Sequence, residues 1–358
     1  MDGLNWEKVP QKVYTRVGAS GLQISKVIVG CMSFGSKQWQ NWIIEDEEEV
    51  FAILKKAYDA GLRTYDTADI YSNGTSEVLL GKFLKKYNIP RETVVILTKC
   101  FALYDAERQD FNSANEKNFD GHEYINRRGL SRKHILDSVK ASTERLGTYI
   151  DLYQIHRFDK VTPIEETMKA LHDCVEKDYV RYIGASSMTT YNFVMMQNVA
   201  EKNGWTKFIS MQNYHNLLYR EEEKEMNEYC KLTGVGILPW SPNATGFLAR
   251  PLSATMGDTS RADEKSFSTF LGLRNMSDND KKIINRVEEL SKKYGVSMAT
   301  IATAWSISKG GCPIVGFSKP ERIDDALDAI KLELTEEDIK YLEEPYDPHW
   351  LPHLNAAA

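Results

Sequence analysis

From Val27 onward the chain repeats one unit, an apolar strand, a loop and an amphipathic helix, with strands beginning near Val27, Arg63, Val94, Ile150, Val180, Phe208, Gly236 and Pro313. A strand that must wait for a helix before the next strand cannot pair with it as a hairpin, so this rhythm predicts parallel strands covered by helices. Eight units fit a closed barrel better than an open doubly wound sheet, and the expected fold is α/β, a (β/α)8 TIM barrel. Ahead of the first unit, residues 14–17 and 22–25 flank Gly18-Ala-Ser-Gly21, which predicts an N-terminal β-hairpin that plugs the barrel floor.

The helices carry their own punctuation. Thr162 with Glu165 reads as a capping box, Pro163 stands at the first helical position, and Ile164, Met168, Leu171 and Val175 form one stripe. Asp46 before Val50, Leu54 and Ala57, and Ser131 before Ile135, Val139 and Leu146, repeat the pattern. Two long polar connections, residues 100–130 and 243–278, interrupt the rhythm after predicted strands. Connections of that length in a compact domain are usually functional, so both are expected as long active-site loops.

A chain of 358 residues with 42% hydrophobic residues can bury a large core, and one domain over residues 1–358 is expected. The ending Leu354-Asn-Ala-Ala-Ala358 reads as an appended tail and is set aside. Net charge is −6 and basic runs such as Lys281-Lys282 stop at two residues, which predicts neither nucleic acid nor an anionic membrane as partner. Five scattered cysteines without a Cys-x-x-Cys pair argue against a disulfide framework or structural zinc, and for reduced thiols. No leader follows Met1 and no apolar run reaches membrane-spanning length, so a cytoplasmic protein is expected. The glycosylation triplets at Asn73, Asn243 and Asn275 are discounted for the same reason.

In a barrel the chemistry gathers at the C-terminal ends of the strands. Asp151-Leu-Tyr-Gln-Ile-His156 alternates like a buried strand and stops on a histidine; Thr64-Tyr-Asp-Thr-Ala68 is followed by Tyr71, and Val94-Val-Ile-Leu-Thr-Lys99 ends on a lysine. Taken singly, Asp66 is a strand-end turn residue, Tyr71 a loop aromatic, Lys99 a solvated terminus and His156 a core histidine. Together at the ends of three successive strands they suit carbonyl reduction. Tyr71 donates the proton, Lys99 supplies the cation that a phenol of pKa ~10 needs nearby, Asp66 holds the ammonium, and His156 hydrogen-bonds the carbonyl oxygen. No second His or Cys stands at ligand spacing with His156, so no metal is expected, and the Gly-x-Ser-x-Gly elbow of a hydrolase is absent.

That constellation, with Asp and Tyr five apart, resembles the aldo-keto reductase family. Gly184-Ala-Ser-Ser187, Gln212, Trp240-Ser-Pro242 and Pro313-Ile-Val-Gly316 extend the match, and the fungal aryl-alcohol-dehydrogenase-like members are the most similar. The resemblance implies an NADPH/NADP+-dependent reductase of aldehydes, and of some ketones, that can run in reverse as an alcohol dehydrogenase. It also covers a regulatory class, the cofactor-sensing beta subunits associated with channels; the whole tetrad favours the enzyme, and sustained turnover separates the two.

A hydride donor must be bound, yet Gly-x-Gly-x-x-Gly occurs nowhere, so the usual dinucleotide fold is excluded. Barrels often bind phosphate between the loops after strands 7 and 8 and a helix N-terminus. Gly316, Ser318, Lys319 and Arg322 fall there, with Pro320 set to open the last helix and Ile323, Ala326, Leu327 and Ile330 as its buried stripe. By resemblance this turn takes the adenosine 2′-phosphate, with Asp325 nearby and Ala326 where many relatives have asparagine. The resemblance also assigns the nicotinamide amide to Ser186, Ser187 and Gln212, ring stacking to Trp240, and the pyrophosphate side to Ser241, Asn243, Gly246 and Leu248. Trp39, Trp42, Phe101 and Tyr104 are candidate aromatics of the mouth, which suits aromatic aldehydes.

Overall fold

The computed structural model describes residues 13–112, 115, 119–254, 271, 273 and 276–349. The N-terminal segment, Asn275 and the tail from Leu354 therefore lie outside the described residues.

An antiparallel hairpin, β1 (Tyr14–Arg16) with β2 (Gln23–Ser25), precedes eight parallel strands. These are β3 (Ile28–Gly30), β4 (Thr64–Asp66), β5 (Val95–Cys100), β6 (Ile150–Ile155), β7 (Val180–Ser186), β8 (Ser210–Gln212), β9 (Gly236–Ile237) and β10 (Ile314–Gly316). They neighbour one another in the order β10-β3-β4-β5-β6-β7-β8-β9. The last gap closes where Cys312 N donates to Ile237 O at 2.9 Å and Ile314 N to Pro239 O at 2.8 Å. The expected barrel is present, each strand starting within two residues of its predicted position.

Strand periodicity of two sorts the side chains into layers. Leu97 pairs in register with Leu152, and Lys99 with Gln154, so each strand sends an apolar side chain inward near the floor and a polar one above it. Leu97 and Leu152 join Ile28, Leu238 and Ile314 in a buried cluster, into which the hairpin inserts Val17 and Ile24. The hairpin is thus the floor plug. Its turn needs Gly18, at φ +54°, because a Cβ there would come within 2.1 Å of the Gly234 carbonyl oxygen.

Outside the barrel, alternate strand residues such as Val29, Tyr65, Ile96, Tyr153 and Ile183 pack against the helices. These begin with α1 (Glu47–Asp59), α2 (Thr75–Lys86), α3 (Arg132–Leu146), α4 (Ile164–Glu176), α5 (Thr190–Asn203) and α6 (Met226–Thr233). Asp46 caps α1 by accepting from Glu48 N and Glu49 N, and Ser131 caps α3 by accepting from His134 N, as predicted. The capping box expected at α4 is absent. Asp159 has taken Thr162 instead, accepting its hydroxyl at 2.7 Å and leaving Pro163 as an N-cap without a side-chain bond. The apolar stripe of α4 is nonetheless buried through Met168, Leu171 and Cys174.

Two helices, α7 (Asp278–Tyr294) and α8 (Met298–Ser308), occupy the crossover to β10, and their apolar faces form a second buried cluster with Tyr214, Leu217 and Leu248. After β10 comes α9 (Arg322–Lys331), which starts later than expected. Pro320 lies in the turn before it, and Glu321 is its N-cap. Nor is α9 the last helix, since α10 (Glu336–Glu343) follows. The connection over residues 100–130 is less polar inside than it reads, because Leu103, Phe111, Phe119 and Tyr124 bury one another as a small knot. No described helix is long and apolar enough to cross a membrane.

Candidate active site

Directly above the apolar floor, the fully buried Lys99 spends all three of its ammonium donors. They go to Asp66 Oδ2 at 2.6 Å, Thr67 O at 2.9 Å and the Tyr71 hydroxyl at 3.2 Å. The other Asp66 oxygen accepts from Gln212 Nε2 at 2.9 Å and Gln154 Nε2 at 3.2 Å, and Gln212 Nε2 also reaches Gln154 Oε1 at 3.0 Å. The His156 ring stands edge-on to that of Tyr71, centroids 5.9 Å apart. All four predicted residues are therefore brought to one place at the mouth ends of β4, β5 and β6.

Tyr71 is held by a strained turn. Ser72, Asn73 and Gly74 take φ of 46°, 51° and 90°, a left-handed run that needs outside support. Asn73 Nδ2 donates to Phe111 O at 2.9 Å, and Ser72 Oγ accepts from Ser36 N at 3.1 Å. Burial pushes the Tyr71 hydroxyl above its usual range, while Lys99 pulls the other way. The cation does not win, because burial outweighs it and Asp66 adds to burial; the phenol keeps its proton at neutrality. Desolvation would also lower Lys99, but Asp66 and Tyr71 together carry it above its usual value, so the ammonium stays charged. His156 is driven well below the ordinary imidazole value by burial first and by Lys99 and Arg157 next, and stands neutral with one N–H to give.

Trp39 lies 6.3 Å from Tyr71 and 6.2 Å from Trp42, centroid to centroid, so of the four expected mouth aromatics one borders the phenol and a second packs on the same cluster. The other two do not. Phe101 packs on the outer core, and Tyr104 accepts from Arg145 Nη1 at 2.9 Å in a network that includes Glu77.

Across the mouth, the mutual contact of Ser186 and Ser187 hydroxyls is 3.1 Å, and Trp240 Nε1 donates to Ser187 Oγ at 3.1 Å. Ser187 sits at φ 51°. Its N–H is held by Asn213 Oδ1 at 2.7 Å, and Asn213 Nδ2 in turn donates to the buried Glu222 at 2.5 Å. Beyond Trp240, Ser241, Ala244, Thr245 and Gly246 all have positive φ, and Leu248 N closes the loop on Asn243 O. Within it the buried Asn243 Oδ1 and Thr245 Oγ1 have no hydrogen-bond partner. A backbone strained in this way, with orphaned buried polar atoms, fits a ligand with polar groups of its own. Gly316, Ser318, Lys319 and Arg322 are exposed at the next strand end, where Arg322 pairs with Asp325 at 3.2 Å.

A sequence model of the Aldo/keto reductase family matches residues 26–347. The chain belongs to the aldo/keto reductase family. It is 56% identical over 344 residues to a Schizosaccharomyces pombe protein provisionally named aryl-alcohol dehydrogenase, covering 94% of this chain and 96% of that one. It is 53% identical over 336 residues to the versiconal hemiacetal acetate reductase of Aspergillus parasiticus, covering 94% and 97% of the two chains.

In this aldo/keto reductase the barrel adds site residues that the sequence reading passed over. Gln154 was legible in principle, since strand alternation puts it on the same face as His156, two residues below it, where it pairs in register with Lys99. Asn213 and Glu222 were not, because their value lies in reaching Ser187 from a different loop. Arg157, next to His156, carried no signal beyond its charge.

Proposed function

We propose that this aldo/keto reductase is an NADPH-dependent reductase of aldehydes, chiefly aromatic ones, and of some ketones, with Tyr71 as proton donor. The observation that carries the reading is the single ammonium of Lys99 bonded at once to Asp66 and to the Tyr71 hydroxyl, facing a neutral His156. When bound, NADPH supplies the hydride. Ser186, Ser187 and Trp240 would hold its nicotinamide end, the Ser241–Leu248 loop its pyrophosphate, and Ser318, Lys319 and Arg322 its 2′-phosphate. Gln212, whose Nε2 donates to Asp66 and Gln154, would share the nicotinamide end with Ser186, Ser187 and Trp240.

The protein's part is to polarise and protonate. Tyr71 and His156 both offer hydrogen bonds to a carbonyl oxygen placed between them, stabilising negative charge as it develops. Tyr71 then gives its proton to that oxygen, so the carbonyl becomes an alcohol, and the phenolate left behind is stabilised by Lys99 until it regains a proton from solvent. Running the same steps backward oxidises an alcohol. Trp39 and Trp42 offer flat apolar surface to an aromatic substrate. Relatives named for aryl alcohols support that preference. The test is NADPH consumption with a panel of aromatic and aliphatic aldehydes. Many turnovers per enzyme with an aromatic aldehyde are expected; one oxidation per bound cofactor without cycling would overturn the reading in favour of a cofactor-sensing subunit.

A further inference from the structure

Arg157 follows His156 at the mouth end of β6 and is half-buried. Its guanidinium makes one hydrogen bond, from Nη1 to the His156 carbonyl oxygen at 3.3 Å, and no ion pair among the described residues. The nearest acidic candidate in sequence, Asp159, is engaged elsewhere: its carboxylate accepts from Leu130 N at 2.7 Å, Val161 N at 2.8 Å and Thr162 Oγ1 at 2.7 Å. Other half-buried arginines have a carboxylate or an aromatic ring as partner: Arg91 pairs with Asp151, Arg145 with Glu77, and Arg220 with Glu223 and Glu343, while Arg63 lies over the Tyr58 ring and Arg127 over that of Tyr124. The positive charge of Arg157 also reaches the site, where it disfavours the protonated forms of both Tyr71 and His156.

A planar guanidinium with five donors, mostly unspent and partly desolvated, matches a carboxylate that arrives from outside. The loss of water has already pulled Arg157 down to about 10, a penalty that an anion would relieve. The ligand is not the cofactor's phosphates, for the residues suited to those lie at the ends of β9 and β10, while Arg157 shares its strand end with His156. We infer that Arg157 is an anion subsite beside the carbonyl site, and that the preferred substrates are aromatic aldehydes bearing a carboxylate. The inference rests on the reductase reading for its substrate class, and on Arg157 alone for its anion.

The experiment compares para- and meta-formylbenzoate with the corresponding formylbenzamides, neutral partners of nearly the same shape, in wild type, Arg157→Met and Arg157→Lys. For at least one isomer the wild-type kcat/KM ratio of acid to amide should exceed roughly ten, the value of one charge-assisted contact. It should fall toward one in Arg157→Met, and lie between in Arg157→Lys, which keeps charge without the fork. A ratio equal in wild type and Arg157→Met would overturn the subsite, even if both rates fell, since that pattern means the guanidinium only tunes Tyr71 or His156. So would a weakened affinity of Arg157→Met for NADPH with the ratio unchanged. A second measurement, benzoate against benzamide binding to the NADP+-loaded protein by calorimetry, needs no turnover. Benzoate binding that exceeds benzamide binding in wild type and loses its advantage in Arg157→Met supports the subsite even if no aldehyde is reduced; equal binding of the two in wild type overturns it.

Discussion

Lys99 has no donor to spare, so its neighbours are bound to its fate. In Lys99→Met, Asp66 keeps Gln154 and Gln212 as donors but loses its cation, and the Tyr71 phenolate formed on proton transfer loses the charge that stabilises it. Reduction should fall by at least as much as in Tyr71→Phe, which deletes only the proton-donating hydroxyl and should cost roughly 10²–10⁴-fold in kcat. Both variants should still bind NADPH, which cofactor titration by tryptophan fluorescence would check. A Tyr71→Phe enzyme with wild-type kcat on a good aldehyde would remove Tyr71 from its role. If Lys99→Met merely melted earlier while its folded fraction turned over normally, Lys99 would be structural. These residues could be read in the sequence because each is reactive and stands at, or shortly after, the end of a strand-like run. Asn213 and Glu222 could not: an uncharged amide just past a strand, or a carboxylate in the run Glu221-Glu222-Glu223, gives no sign that a neighbour from a distant element needs it.

At the level of elements, local rules worked where a side chain serves its own helix and failed where a competitor stood near. Asp46 and Ser131 cap as their spacing predicts, whereas Thr162 is claimed by Asp159 on the preceding loop. The turn between β10 and α9 shows the same limit. Proline suits the first helical position, but here the chain makes successive tight turns, with Arg322 N to Lys319 O and Ile323 N to Pro320 O, before the helix settles. That leaves Lys319 outside the helix and Arg322 on its first turn, both exposed. A cation at a helix N-terminus opposes the dipole, and Asp325 offsets it only partly; a phosphate would complete the balance. Arg322→Ala should therefore raise the NADPH dissociation constant roughly ten-fold or more, from a contact of ~1.5–3 kcal/mol, with little effect on NADH. The preference should shrink with added salt, because the site is exposed. Equal weakening of both cofactors, read by fluorescence titration at low and high salt, would assign Arg322 to the helix end or pyrophosphate instead.

On the scale of the whole molecule, the barrel was legible because its strands, covered on both sides, read as apolar runs, and because crossovers leave few other topologies. What the rhythm hides is the charge buried between layers. Asp69, two residues before Tyr71, is fully buried between the barrel and α3; Ser138 Oγ donates to one oxygen at 2.9 Å and the other has no partner. Burial, aided by Glu77, pushes this carboxyl up to about 8. The folded protein then retains a proton that the unfolded chain releases near pH ~3.9, so between those values the folded state binds more protons. By linkage, its contribution to stability is greatest below the unfolded value, declines as pH rises, and is spent above about 8. Glu222, pushed up to about 7 by burial, acts in the same direction, and neutral His156 acts oppositely at acid pH. Those terms cancel when wild type is compared with Asp69→Asn, which keeps the shape and removes only this titration. Urea unfolding from pH 5.5 to 8 should thus show wild type losing stability relative to Asp69→Asn as pH rises, with a ceiling of roughly 1.4 kcal/mol per pH unit for one proton. Parallel stability curves would mean that Asp69 ionises inside the fold as easily as in water, and that the buried gap between the barrel and α3 is wetter than its packing shows.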